Sequence, residues 1–181
     1  GETTQPFVID MWALPESGLA AVKAFLGNYD GTFIAHSVKF DAKHLAGSLG
    51  VWIDDNATLF DTMQASRLLS NSVGMGKMRG HKLLDLARDF LSINLDKTEQ
   101  ASDWSVPVLT TEQLQYAALD VVSLHDLMGI LKTTLIDKLG QALPVELEMA
   151  VIGPTARMEF SGLPFNQKVY KRVQQAARYA L

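Results

Sequence analysis

A chain of 181 residues, 48% hydrophobic and 20% charged, has the size and balance of one folded domain with at most a short appendage, which excludes a complete multidomain machine and a disordered chain. Sixteen basic against twenty acidic residues leave a net charge of −4, so no global positive field holds nucleic acid, and any such contact must be local or metal-assisted. The lack of Cys excludes disulfide frameworks, thiolate zinc sites and thiol nucleophiles, and no apolar run approaches the roughly 18 residues of a membrane span.

The chain opens at Gly1 without Met, reads as soluble, and is expected to be a trimmed or processed piece. Residues 7–11 form a short apolar run after Pro6 and are predicted as a buried strand. Residues 19–26 repeat apolar side chains at helical spacing after a Pro-Glu-Ser start. A second strand is predicted over 32–38, after the Asp30-Gly31 turn signal, and a helix over 41–49 ending at Gly50. Residues 57–60 make a third strand, and Asp61 or Thr62 caps a helix running to about Leu69. Strands alternating with helices argue for an α/β sheet.

The Gly-rich stretch 71–80 then breaks the chain. Residues 81–91 are amphipathic, with Leu83, Leu84, Leu86, Ala87, Phe90 and Leu91 on one broad face, and 93–107 are polar and loop-like. Thr110 or Thr111, with Glu112 and Gln113 behind it, starts a helix predicted to run to about Leu139 and end at Gly140. Pro144 opens another helix that Gly153-Pro154 should kink, and 166–181 form a last amphipathic piece.

The carboxylates fall at telling places. Asp41 follows the second strand, where α/β folds place their sites, and reads on its own first as a helix cap. Tyr116 and Asp120 are four apart on one predicted helix, which puts both on one face. That spacing suits a phenol beside a metal-bound water, though taken alone it more often marks a solvated Asp and a half-buried core Tyr.

Read in order, the pieces carry more. His36-Ser37-Val38-Lys39-Phe40-Asp41 resembles the H/Q-N-x-x-F/Y-D motif of the DEDD 3′→5′ exonucleases, which have a ribonuclease H-like fold. Phe60-Asp61-Thr62-Met63 with Leu68-Leu69, and Leu83-Leu84-Asp85-Leu86-Ala87, look like that family's next strand and helices. The run from Lys97 to Trp104 resembles a K-x-x-Q-x-S-D-W loop of ribonuclease D and related proofreading domains. Tyr116-Ala117-Ala118-Leu119-Asp120 matches the Y-x-x-x-D motif of the DEDDy branch. The stretch from Glu146 to Asn166, with Met158-Glu159-Phe160-Ser161-Gly162, is similar to the start of the thumb in family A DNA polymerases.

This resemblance implies a three-layer α/β domain with a mixed central sheet over 1–140, lacking its N-terminal strands, then a helical segment over 141–181 that begins a polymerase domain. It implies 3′→5′ exonuclease activity of a proofreading kind on a single-stranded DNA 3′ end. Two divalent ions, Mg²⁺ or Mn²⁺, would act roughly 4 Å apart. Asp41 and Asp120 would be metal ligands and Tyr116 would orient the attacking water. His36, Ser37 and Phe40 would lie beside the terminal nucleotides, with Ser37 where the family usually has Asn. Arg79, His81, Lys97 and Gln100 would contact the strand or its phosphates. The family's D-x-E pair has no counterpart, since Glu2-Thr3-Thr4 leaves no room for the intervening strand. The pair is therefore expected from an upstream segment or a separate chain. A ribonuclease D-like exoribonuclease and a catalytically silent nucleic-acid-binding or bracing domain are the alternatives. A bacterial or phage cytoplasm, or an organelle, would be the compartment, without membrane contact.

Overall fold

The computed structural model describes residues 5–72, 80–94, 99, 102–162 and 164–179. Helix α1 (Glu16–Asn28) leads into strand β1 (Thr32–Ala35), helix α2 (Val38–Leu49), a 3₁₀ turn (Ile53–Asp55) and strand β2 (Thr58–Asp61). The strands pair in parallel with Thr32 opposite Thr58 and Ala35 opposite Asp61, as a strand–helix–strand crossover requires. Helix α2 stops where Gly50, at φ 70°, enters the left-handed region and returns its N–H to the Ala46 carbonyl at 3.0 Å.

Helix α3 (Thr62–Ser72) starts directly at the end of β2. After α4 (Leu83–Leu86) the backbone widens into a π-helical turn over Ala87–Leu91. Helix α5 (Thr111–Lys132) opens with the capping box that the Thr-x-x-Gln spacing foretells. The Thr110 hydroxyl accepts from the Gln113 N–H at 3.2 Å, and the Gln113 side chain accepts from the Thr110 N–H at 2.9 Å. A π-helical stretch, Thr133–Lys138, extends it to Gly140 at φ 65°. Helices α6 (Ala142–Ala150) and α7 (Ile152–Ser161) break at Val151, one residue before α7 and three before Pro154, which thus sits in a first turn where its missing N–H costs nothing. Helix α8 (Gln167–Tyr179) is capped by Asn166, whose side-chain oxygen accepts from the N–H groups of Lys168 and Val169, each at 3.1 Å.

One core runs through the body. Leu59 and Phe60 of β2, Leu69 of α3, Leu86 of α4, Leu127 and Leu131 of α5, and Val145, Met149 and Ile152 of the C-terminal helices are all buried in it. Helix α5 lies on β1 and α3, α6 on β2 and α3, and α7 along α2. Charged contacts hold α7 in place: Glu159 bridges Lys39 and Lys43 at 2.5 and 2.6 Å, and Arg157 binds Asp54 through two nitrogens while stacking 4.5 Å from the Trp52 ring. Gly153 permits this approach, since a β-carbon there would run into the Asp54 carboxylate.

One expectation changes. Residues 7–11 form no strand: Phe7, Ile9 and Trp12 are 83%, 54% and 99% exposed, and the Asp10 carboxylate accepts from the N–H groups of Trp12 and Ala13 to make a turn. An apolar run becomes a strand only when a neighbour takes its N–H and C=O groups, and among the described residues β1 and β2 pair only with each other. The sheet among the described residues is two-stranded and parallel. No described helix is long and apolar enough to cross a membrane.

Candidate active site

Strands β1 and β2 end side by side at Ala35 and Asp61, and the loops beyond these ends carry the polar residues. A cavity of about 570 Å³ opens there, with Phe33, Ile34, Leu45, Leu83, Val121 and Leu124 as apolar walls and His36, Asp41, His44 and Asp120 as its titratable groups. Asp41 and Asp120 thus share one cavity although 79 residues separate them in the chain (120 − 41). A second cavity of about 530 Å³, between β2 and α6, holds Lys132 against the Phe60 ring with Glu146 and Asp54, and reaches Thr32 and Thr58 at the opposite, amino-terminal ends of the strands.

The environment works against charge on both carboxylates. Burial, reinforced by the neighbouring Asp61 charge, pushes Asp41 up from 3.8 to about 6. Burial also raises Asp120, and the Tyr116 phenol beside it draws it partly back. Tyr116 itself is raised, first by burial and then by the Asp120 charge. The Tyr116 ring lies 6.2 Å from that of Trp104, whose indole N–H donates to the Glu99 carbonyl at 3.0 Å. Gln113 ties the same loop down by donating to Ser102 and to the Asp103 carbonyl. Trp104 therefore packs loop against helix at the N-terminal part of α5.

His36 is lowered by burial, against the opposing pull of Asp61. Its Nδ1 meets the Thr62 hydroxyl at 3.0 Å. Ser37 sits at φ 72°, and Phe40 projects from the first turn of α2 with 67% of its surface exposed. His81 is pinned by Ser66, its Nδ1 lying 2.9 Å from the hydroxyl. Arg79, Lys97 and Gln100 lie outside the described residues.

One participant is not singled out by the sequence. His44 lines the cavity and stacks almost parallel on Phe40, with centroids 6.1 Å apart and planes 9° apart; its position one helical turn after Phe40 was the available signal. Asp61 caps its own helix, as the sequence predicts, and also accepts from the N–H groups at the start of α2.

Oxygen donors in a partly dry cavity suit a hard divalent cation, and two carboxylates whose charges are otherwise disfavoured would be relieved by one. Among the described residues no group of three or more His, Asp or Glu side chains gathers as a metal cage, and Asp41 and Asp120 are the carboxylates that could supply part of one.

Comparison with known proteins accords with this geometry. A family described as 3′-5′ exonuclease matches residues 1–136. The chain is 29% identical over 181 residues to a DNA polymerase I of Aquifex aeolicus, the match covering 91% of this chain and 29% of that protein. It is 40% identical over 80 residues to a ribonuclease D of Zymomonas mobilis, covering 44% of this chain and 19% of the relative. Among solved structures, Brucella melitensis NrnC superposes with a TM-score of 0.62 at 29% identity, over 72% of this chain and 59% of its own. The same protein with bound Mg²⁺ gives 0.64 at 26% identity, over 77% and 63%. The chain thus spans under a third of the polymerase relative and about three fifths of the nuclease. With two motif carboxylates in one cavity at the strand ends and a family match over three quarters of its length, the chain belongs to the 3′-5′ exonuclease family.

Proposed function

We propose that this chain is the 3′→5′ exonuclease domain of a DNA polymerase I-like protein and that it removes nucleotides from a single-stranded DNA 3′ end in a proofreading role. The observation that carries the reading is the shared cavity of Asp41 and Asp120 at the carboxyl end of β1, with Tyr116 one turn before Asp120. Residues 1–140 form the exonuclease unit and 141–181 the helical segment leading toward a polymerase domain. Helices α6 and α7 lie on the exonuclease core and α8 is exposed throughout its described side chains.

Divalent metal, in two-ion form, would supply activation of water and stabilisation of the leaving oxygen. Asp41 and Asp120 would hold it. The protein's own part is positional. Tyr116 orients the attacking water through its phenol, whose proton is held more firmly than in a free tyrosine, first by burial and then by the neighbouring Asp120 charge. Phe40, backed by His44, offers a ring face to a terminal base, and His36 and Ser37 border it. His81, Arg79, Lys97 and Gln100 are the further strand contacts in this reading. The missing carboxylate pair comes from residues beyond these 181 or from a partner chain. Its natural seat is the edge of β1 not bonded to β2, which borders a cavity of about 320 Å³ walled by Phe25, Leu26, Val121 and Leu124. The compartment is wherever that polymerase replicates DNA, in a bacterium, a phage-infected cell or an organelle.

The identity to ribonuclease D over 80 residues favours a second reading, an exoribonuclease on the same site. Trimming of 5′-labelled single-stranded DNA and RNA by the protein at its natural length, with Mg²⁺ or Mn²⁺, tests both. Stepwise shortening of DNA that EDTA and Asp120→Ala abolish is expected. Trimming of RNA alone would favour the second reading, and metal-independent or absent trimming would refute both.

A further inference from the structure

Asp61 and Thr62 have no role in the chemistry proposed above, yet the turn that leads into the site hangs on them. The Asp61 carboxylate is 1% exposed and accepts four backbone N–H groups. Oδ1 takes Met63 at 2.9 Å and Gln64 at 3.3 Å, the usual service of a cap to its own helix α3. The same oxygen takes Ser37 at 3.0 Å, and Oδ2 takes Val38 at 3.0 Å. Those two N–H groups belong to the start of α2, whose own N-cap residue, Ser37, makes no side-chain cap. One carboxylate therefore satisfies the starts of two helices from across the sheet. Beside it, the Thr62 hydroxyl donates to the Ala35 carbonyl at 3.2 Å and lies 3.0 Å from His36 Nδ1.

The turn so held is strained. Ser37 occupies the left-handed region at φ 72° and ψ 49°, which a residue with a β-carbon enters only when its surroundings impose it. The residues before and after it are those of the site: His36 directly precedes, and Phe40 and Asp41 follow within the first turn of α2.

We infer that Asp61 and Thr62 are positioning residues of the nuclease site. They clasp the strained His36–Ser37 turn and so set the direction in which α2 presents Phe40 and Asp41. This rests on the exonuclease reading. An ordinary cap would contribute to stability alone. A clasp also fixes the catalytic geometry, where a displacement of about 1 Å costs roughly 100-fold in rate.

The test uses the protein at its natural length with four variants: Asp61→Asn, Thr62→Val, Ser37→Gly and the double variant Ser37→Gly/Asp61→Asn. Amide hydrogen exchange at Ser37 and Val38 is read alongside kcat and KM for trimming single-stranded DNA at saturating Mn²⁺. Asp61→Asn should accelerate exchange at those two amides and lower kcat by roughly 10- to 100-fold with KM within about threefold. Thr62→Val, which removes no charge, should lower kcat in the same direction. Gly removes the strain that the clasp opposes, so the double variant should lose at least about fivefold less than the product of the single losses. A kcat for Asp61→Asn within twofold of the unaltered protein, or strictly multiplicative losses, would overturn the inference even if the melting temperature falls. Absence of metal-dependent trimming by the unaltered protein would instead refute the nuclease reading, and the positioning role with it.

Discussion

Replacing Asp41 by Asn should stabilise the metal-free protein, and only above mildly acidic pH. Burial and the Asp61 charge raise Asp41 from 3.8 to about 6, so the folded state binds this proton more tightly than the unfolded chain does. The proton's contribution to stability is complete below about pH 4 and is lost as pH rises through about 6. At 1.36 kcal/mol per pH unit, that interval corresponds to roughly 3 kcal/mol as an upper bound. Asp41 is only partly buried and water screens it, which brings the expected gain for Asp41→Asn at pH 7.5 to about 1–2 kcal/mol. In a domain of this size that is a rise of roughly 2–8 °C in melting temperature. The assay is thermal unfolding in EDTA at a series of pH values from 4 to 7.5. The difference between the two proteins should be near zero at pH 4, open between pH 4 and 6, and stay level above. Added Mg²⁺ should close the gap from the side of the unaltered protein, because only it keeps the full carboxylate. A stabilisation that is equal at all pH values would refute the electrostatic argument.

Other outcomes follow from the same structure. Tyr116→Phe keeps the ring against Trp104 and removes the hydroxyl, so kcat for trimming should fall roughly 10- to 100-fold with little change in KM and in melting temperature. Arg157→Ala removes the paired bonds to Asp54 and the stack on Trp52. On this exposed face the loss should be about 1 kcal/mol by chemical denaturation, and it should loosen α7 before the rest. Leu131→Ala opens a hole where the side chain is fully buried, and should cost about 2–5 kcal/mol in the same assay.

Local signals in the sequence reached far into this fold. The Thr-x-x-Gln start of α5, the stop of α2 at Gly50 and the two strands of the crossover follow from rules that act within a few residues: capping, the left-handed freedom of Gly, and runs of strand formers. The spacing of Tyr116 and Asp120 is of the same kind, because one helical turn suffices to put them together. Residues 7–11 show where such reasoning stops. Their apolar pattern is strand-like, but a strand is made by its neighbour, and Phe7 and Ile9 stand in solvent where none pairs with them. That Asp41 and Asp120 line one cavity was legible only through the order of motifs, since no local rule relates positions so distant. What tertiary structure alone decided is the environment: the burial that raises Asp41, the stack of His44 on Phe40, and the second helix that Asp61 caps. Each depends on the approach of side chains from separate elements, and such distances are fixed by how the core packs, which the linear pattern does not contain.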